Sequence, residues 1–153
     1  MQAINHALTG AAIGLTIDEP LMAVPAAFGS HFILDAIPHF GSTRPEPEWL
    51  RSRSFKTILA VDTLLCFLLV VLIVVIKPKN WLLAVVCAFL AASPDFLSIK
   101  RFSRYTKHKS YKPGKIVEWT SRIQWFERPI GVIPEIIWFV GMSFVLYQLM
   151  YPL

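Results

Sequence analysis

Charge is what this sequence has least of. Only 16% of its 153 residues are Asp, Glu, Lys or Arg, against about 25% in an ordinary soluble domain. A water-soluble fold must coat itself with such residues, so that class is excluded. Two cysteines cannot staple a disulfide scaffold. An apolar content of 55% excludes a disordered chain. The length leaves little room for several domains. Met1-Gln2-Ala3-Ile4-Asn5-His6 has neither a basic stretch nor a small-residue cleavage site, and it does not read as a secretory signal. No internal repeat or low-complexity run is evident.

What is there is long apolar sequence. Five stretches stand out, at 3–17, 21–40, 55–76, 81–99 and 129–151. A membrane-spanning helix needs roughly 20 apolar residues. The last four stretches meet that length. The first is short and reads as tilted, half-inserted or re-entrant. The expected architecture is therefore all-α: a multi-pass bundle of four to five hydrophobic segments forming a single membrane domain over 1–153.

The cations are unevenly distributed. The linker 41–54 together with Lys56 carries Arg44, Arg51, Arg53 and Lys56, and the loop 100–128 carries nine more. The turn after the third stretch has only Lys77 and Lys79, and the turn Asp18-Glu19-Pro20 has none. If every stretch crosses, thirteen of the fifteen cations share one side. The positive-inside rule makes that side cytoplasmic, with the N-terminus inside, the C-terminus outside, and the chain in the cell's inner membrane.

In the loop 100–128, Phe102, Tyr105, Tyr111, Trp119 and Trp125 interleave with the cations. That pattern also occurs in nucleic-acid binders. Juxtamembrane cations and interfacial aromatics explain it better, so the expected partners are membrane lipids with anionic headgroups, and nucleic acid is not expected. An oligomer is compatible with the sequence. Ile116, Trp119, Ile123 and Phe126 fall at helical spacing, as in an amphipathic helix lying on the membrane.

Seven ionisable residues fall inside the apolar stretches: His6, His31, Asp35, His39, Asp62, Asp95 and Glu135. Each charged group buried in a span costs about 2.5–3.5 kcal/mol on insertion scales, so such residues are functional candidates by default. By position along their segments, all seven fall toward the cytoplasmic end. The spacing predicts one polar cavity open to that side.

His31, Asp35 and His39 are at i, i+4 and i+8 and would share a helical face. Imidazole and carboxylate at i, i+4 suit zinc and its neighbours. The full span is about 12 Å of helix rise, too long for three ligands on one ion. Either Asp35 bridges two ions, or Pro38 bends the chain and His39 does something else. A lone buried histidine is ordinarily a hydrogen-bonded core residue. Three positions in register, opposite His6 and Asp95, favour metal, because buried charge survives by pairing or coordination.

Within the apolar stretches, proline precedes an ionisable residue at Pro38-His39, Pro94-Asp95 and Pro134-Glu135. Broken helices recur at membrane binding sites. The plainer reading is that proline ends a segment, as at Pro20, Pro78 and Pro152, and it is weakest for Pro134. Gln124 and Glu127 are placed to add ligands or hydrogen bonds. Arg44, Arg122 and Arg128 offer guanidinium to a phosphate, although each also fits as topology charge. Gly10 and Gly14, at i, i+4, suit close helix contact. Cys66 and Cys87 read as packing residues.

His6, Gly10, the Ser30-His31…Asp35…Pro38-His39 block and Pro94-Asp95 together resemble a family over about the first 100 residues. It is the small LexA-regulated inner-membrane proteins classed as membrane-bound metal-dependent hydrolases. Of that family's Pro-Asp-x-Asp-His-like motif, Pro94-Asp95-Phe96-Leu97-Ser98 keeps one acid. The His-x-x-x-Asp spacing is similar, more distantly, to that of zinc-dependent phospholipase C-type enzymes.

The expectation is a metal-dependent hydrolase acting on a phosphoester of a lipid or membrane-associated substrate. His6, His31, Asp35, His39 and Asp95 would hold one or two divalent ions, zinc first, manganese or iron next. Asp62 or Glu135 would serve as general base or orienting group, and Arg44, Gln124, Glu127 and Arg128 would contact substrate. A divalent-cation or proton transporter is the alternative, although the other half of the bundle offers no polar path. A non-catalytic scaffold is a third.

Overall fold

A computed structural model of the chain describes residues 1–124 and 126–151. Trp125 and Pro152, both used above, lie outside the described residues. The fold is all-α. Helix α1 covers Ala3–Thr16, α2 Pro20–Asp35, α3 Glu46–Arg51 and α4 Arg53–Ile76. Helix α5 covers Trp81–Ala92, and a 3₁₀ turn at Ser93–Ser98 leads into α6, Ile99–Thr106. Helix α7 is Lys115–Ile123 and α8 is Val132–Met150. Two residue pairs, β1 (His39–Phe40) and β2 (Glu127–Arg128), form a short parallel bridge.

Three helical stretches are long and apolar enough to cross a membrane: Arg53–Ile76, Trp81–Thr106 and Pro129–Met150. At 1.5 Å per residue, α1 and α2 reach about 21 and 24 Å, short of a hydrocarbon core of roughly 30 Å. The stretch 21–40 is therefore not one spanning helix. Its helix stops at Asp35, because Pro38 biases Ile37 away from α geometry. The stretch 81–99 errs in the other direction, since helical backbone continues to Thr106. The loop 100–128 holds two helices, and α7 lies against α2, with Trp119 5.7 Å from Phe32.

Polarity is inverted relative to a soluble protein. Asn5, His6, Ser30, His31, Asp35, His39, Asp62 and Glu135 are buried. Phe67, Val75, Ile137 and Phe144 are exposed on the outer faces of α4 and α8. Such apolar surface suits hydrocarbon rather than water.

Helix α1 is the central post. It packs against α2, α4, α5 and α8, and only Thr16 of its residues is exposed. Small residues make this possible. A Cβ on Gly10 would collide with the Cys87 carbonyl of α5, and one on Gly14 would sit 2.6 Å from Ala84 Cα. Ala84, Ala88 and Ala91 complete a smooth buried face on α5, so the two backbones approach as small-residue membrane helices do.

The first turn of α1 has no side-chain cap of its own. Asp62 of α4 supplies one, its two carboxylate oxygens accepting the N–H groups of Ala3 and Ile4, both at 2.9 Å. Pro134 sits in the first turn of α8, where the missing N–H has no intrahelical partner anyway. It starts that helix and does not break it.

Candidate metal centre and the cavity beside it

The chain runs up and down, so α1 and α8 begin, and α2 and α5 end, at the same end of the bundle. The seven ionisable residues gather there in two groups. In the first, His6 of α1 and His31 of α2 stack with ring centroids 4.0 Å apart. Asp35, one turn after His31, straddles them: Oδ1 is 3.1 Å from His6 Nε2, and Oδ2 is 3.1 Å from His31 Nε2. Asp95 in the 3₁₀ turn brings Oδ1 to 3.9 Å from His31 Nε2. One ligand atom each from His6, His31 and Asp95 lie within 4.8 Å of one another.

The hydrogen bonds decide which nitrogens are free to coordinate. His31 Nδ1 donates to the Ala91 carbonyl of α5 at 2.9 Å, which turns Nε2 toward the acids, 3.1 Å from Asp35 Oδ2 and 3.9 Å from Asp95 Oδ1. Backbone anchoring of the far nitrogen is the usual support of a metal-bound histidine. Both nitrogens of His6 are buried and make no well-formed hydrogen bond among the described residues, the nearest acceptor being Asp35 Oδ1, 3.1 Å from Nε2. A buried polar ring left in this state carries a desolvation cost that a ligand would relieve. Two imidazoles and a carboxylate form a donor set suited to zinc and its neighbours. Asp35 is held separately, by Gln124 Nε2 and by the Met1 amino group, each at 2.7 Å.

His39 departs from the i, i+8 expectation. Because α2 ends at Asp35, His39 lies on β1, where it pairs with Glu127 of β2. Its Nδ1 donates to the Ile37 carbonyl at 2.8 Å. Its Nε2 is buried, without a hydrogen-bond partner among the described residues, 3.5 Å from Glu127 Oε1. Of the two alternatives for this motif, the chain adopts the bend. Gly131 makes room for it, since a Cβ there would run into the His39 carbonyl. Glu135 of α8 accepts the Phe40 N–H at 3.2 Å, tying α8 to the same bridge.

A polar cavity of about 350 Å³ opens beside these groups, within the roughly 300–1,000 Å³ of small-molecule sites. His39, Asp95, Glu127, Glu135, Arg44 and Gln124 all line it. So do Ser42, Ser98 and Arg101, which sequence reasoning passed over. Arg101 lies six residues beyond Asp95, and that spacing was the available signal. Arg101 also pairs with Glu46 at 3.0 Å. Arg128 is exposed with its guanidinium 5.3 Å above the Phe126 ring, outside the cavity wall. Arg122 pairs with Glu118 on the surface of α7.

Asp62 faces away from this cavity, toward α1 and an apolar cleft. No family model, curated protein or solved structure matches the chain.

Proposed function

We propose that the protein is an integral-membrane metal-dependent hydrolase of phosphoesters, working from the cytoplasmic leaflet of the inner membrane. The single observation that carries the reading is the state of two stacked, buried histidines. His6 makes no well-formed hydrogen bond among the described residues, and Ala91 holds His31 so that its Nε2 turns toward the carboxylates of Asp35 and Asp95. Structural histidines satisfy their nitrogens, whereas ligating histidines keep one open.

His6, His31 and Asp95 would hold a divalent ion, zinc matching the donors best, with Asp35 as fourth ligand or orienting group. Such an ion supplies Lewis acidity toward a phosphoryl oxygen and a bound water ionised near neutral pH. The chain's own residues do the rest. Arg44 and Arg101 on the cavity wall draw in an anionic ester and orient its oxygens through planar guanidinium donors. Glu135 and Glu127 are the wall carboxylates that take the proton from the attacking water. Hydrolysis joins the water oxygen to phosphorus and breaks the bond to the ester oxygen, which leaves as an alcohol after gaining a proton. His39, with Nδ1 anchored and Nε2 open to Glu127, is the group that returns it. Asp62 acts at one remove, by holding the start of α1 and therefore His6.

The apolar outer faces support a bundle in which the three long stretches span, with α1 and α2 packed among them as the shorter members. Thirteen of fifteen cations at the site end support a cytoplasmic site. Purified protein is expected to carry zinc, manganese or iron and to release phosphate from a lipid phosphoester. Metal-free wild-type protein with intact helical structure would overturn the reading.

A further inference from the structure

The polar cavity does not end at the centre. Four of its wall residues, Gln2, Phe40, Ile58 and Glu135, also line a second cavity of about 320 Å³. That cavity lies between α4 and α8, where the two helices pack on α1 rather than on each other. Ile4 forms part of its floor, Val61 and Leu65 line the α4 side, and Val132 the α8 side. A third opening of about 190 Å³ continues it along α8 past Ile136. Val61, Val132 and Ile136 are exposed, so the mouth of the cleft lies on apolar outer surface of two candidate spans. The two spaces therefore share walls: arginines and carboxylates line the first, mostly aliphatic side chains together with Asp62 line the second, and the second opens sideways on apolar outer surface.

A soluble phosphate would use only the polar end. We infer that the site takes a phosphate-bearing lipid directly from the bilayer. The phosphate rests in the polar cavity by Arg44 and Arg101. The apolar chain leaves sideways between Val61 and Leu65 of α4 and Val132 and Ile136 of α8. Charge complementarity identifies the head: Arg44 makes no ion pair among the described residues, and Arg101 has one acidic partner for its five donors. Continuity of the walls identifies the tail, because phosphate and chain of one molecule must occupy adjoining spaces of opposite polarity. The inference rests on the hydrolase reading and extends it by saying where the head and the chain of a lipid substrate lie, but it concerns binding alone and can be tested without turnover.

The test uses the whole chain in nanodiscs of neutral phosphatidylcholine, doped with phosphatidic acid bearing a diazirine halfway along one acyl chain. After irradiation, labelled residues are mapped by mass spectrometry, and bound metal is measured on the same samples. Adducts are expected on α4 and α8 around Val61, Leu65, Val132 and Ile136. Val61→Trp, which fills the cleft, and Arg44→Ala, which removes the phosphate's partner, should each lower labelling about tenfold, the equivalent of about 1.4 kcal/mol. Ile136→Phe serves as a second cleft-filling variant should Val61→Trp fail to fold. Val61→Trp should leave the metal content unchanged. Adducts spread evenly over all apolar outer faces would overturn the inference, as would equal labelling by a neutral diacylglycerol probe. Specific labelling on a metal-free protein would uphold the lipid site while removing the hydrolase reading, so the two fail separately.

Discussion

His6 and His31 stack ring on ring, with centroids 4.0 Å apart and planes inclined by 26°. The pair belongs to two helices and is held by a third, through the carbonyl of Ala91. Removing either ring should therefore empty the centre. His6→Ala and His31→Ala are each expected to lower bound metal to below about a tenth of wild type, in line with the loss expected for a direct ligand. Elemental analysis, with helicity checked by circular dichroism, reads this out. Retention of metal by both variants would remove these residues from the centre.

Asp62 and Glu135 should separate by their readouts. Asp62→Asn leaves one acceptor for the two N–H groups of α1 and is expected to cost about 1 kcal/mol, the usual worth of a helix cap. Unfolding in a denaturing detergent would show it, with turnover falling only as far as the folded fraction falls. Glu135→Gln keeps an acceptor for Phe40 but cannot take a proton. It is expected to lower kcat by about 10²–10⁴ at unchanged metal content. The reverse pattern would exchange the two roles.

Much of this arrangement was legible in the chain itself. Depth along each apolar stretch was enough to gather seven ionisable residues at one end, because a helix converts sequence distance into rise at a fixed rate. The i, i+4 pair His31 and Asp35 followed from the same regularity, as did the seating of Gly10 and Gly14 on α5. The position of His39 was not fixed by that regularity. Hydropathy runs on through Ile37, but the helix stops at Asp35, and the register that pairs His39 with Glu127 joins residues 88 apart through a bridge two residues long. Such a bridge has no periodicity to detect. Arg101 was hidden for a related reason: the basic stretch from Lys100 reads as loop, whereas helical backbone continues to Thr106.

Gly10 tests the packing of the central post. A methyl group there meets the Cys87 carbonyl and sits 2.7 Å from the Ala91 side chain, and both belong to the helix that anchors His31. Gly10→Ala is expected to destabilise the fold by about 1–3 kcal/mol, as overpacking does. It should also weaken metal retention by shifting Ala91 away from His31. Wild-type stability together with wild-type metal content would show that α5 yields freely at this contact.

At the opposite end of the bundle, Asp18 accepts hydrogen bonds from Lys79 at 2.9 Å and from Asn80. The Lys79 contact, followed by that of Asn80, holds the Asp18 carboxyl below its ordinary value. Its contribution to stability is thus present above the ordinary aspartate range and is lost as pH falls through the lowered value. Lys79→Met should return the Asp18 titration toward that of a free aspartate, followed by NMR of the carboxyl carbon. An unchanged titration would show that Asn80 alone sustains the shift. Full exposure of this pair makes a measurable change in stability at neutral pH unexpected.

The enclosure of α1 also bears on how the molecule is made. This helix precedes α5 and α8 in the chain, yet it packs against both. At 14 residues it is too short to settle across a bilayer by its own hydropathy. Several of its polar groups meet later segments: His6 lies against Asp35 of α2, Asn5 and Thr9 bond to α8, and its opening N–H groups bond to α4. The contacts that seat α1 thus form only once the later helices are in place. The spans assemble around a segment that comes before them in the chain, and the gathering of His6 with His31 and Asp95 is completed late rather than early.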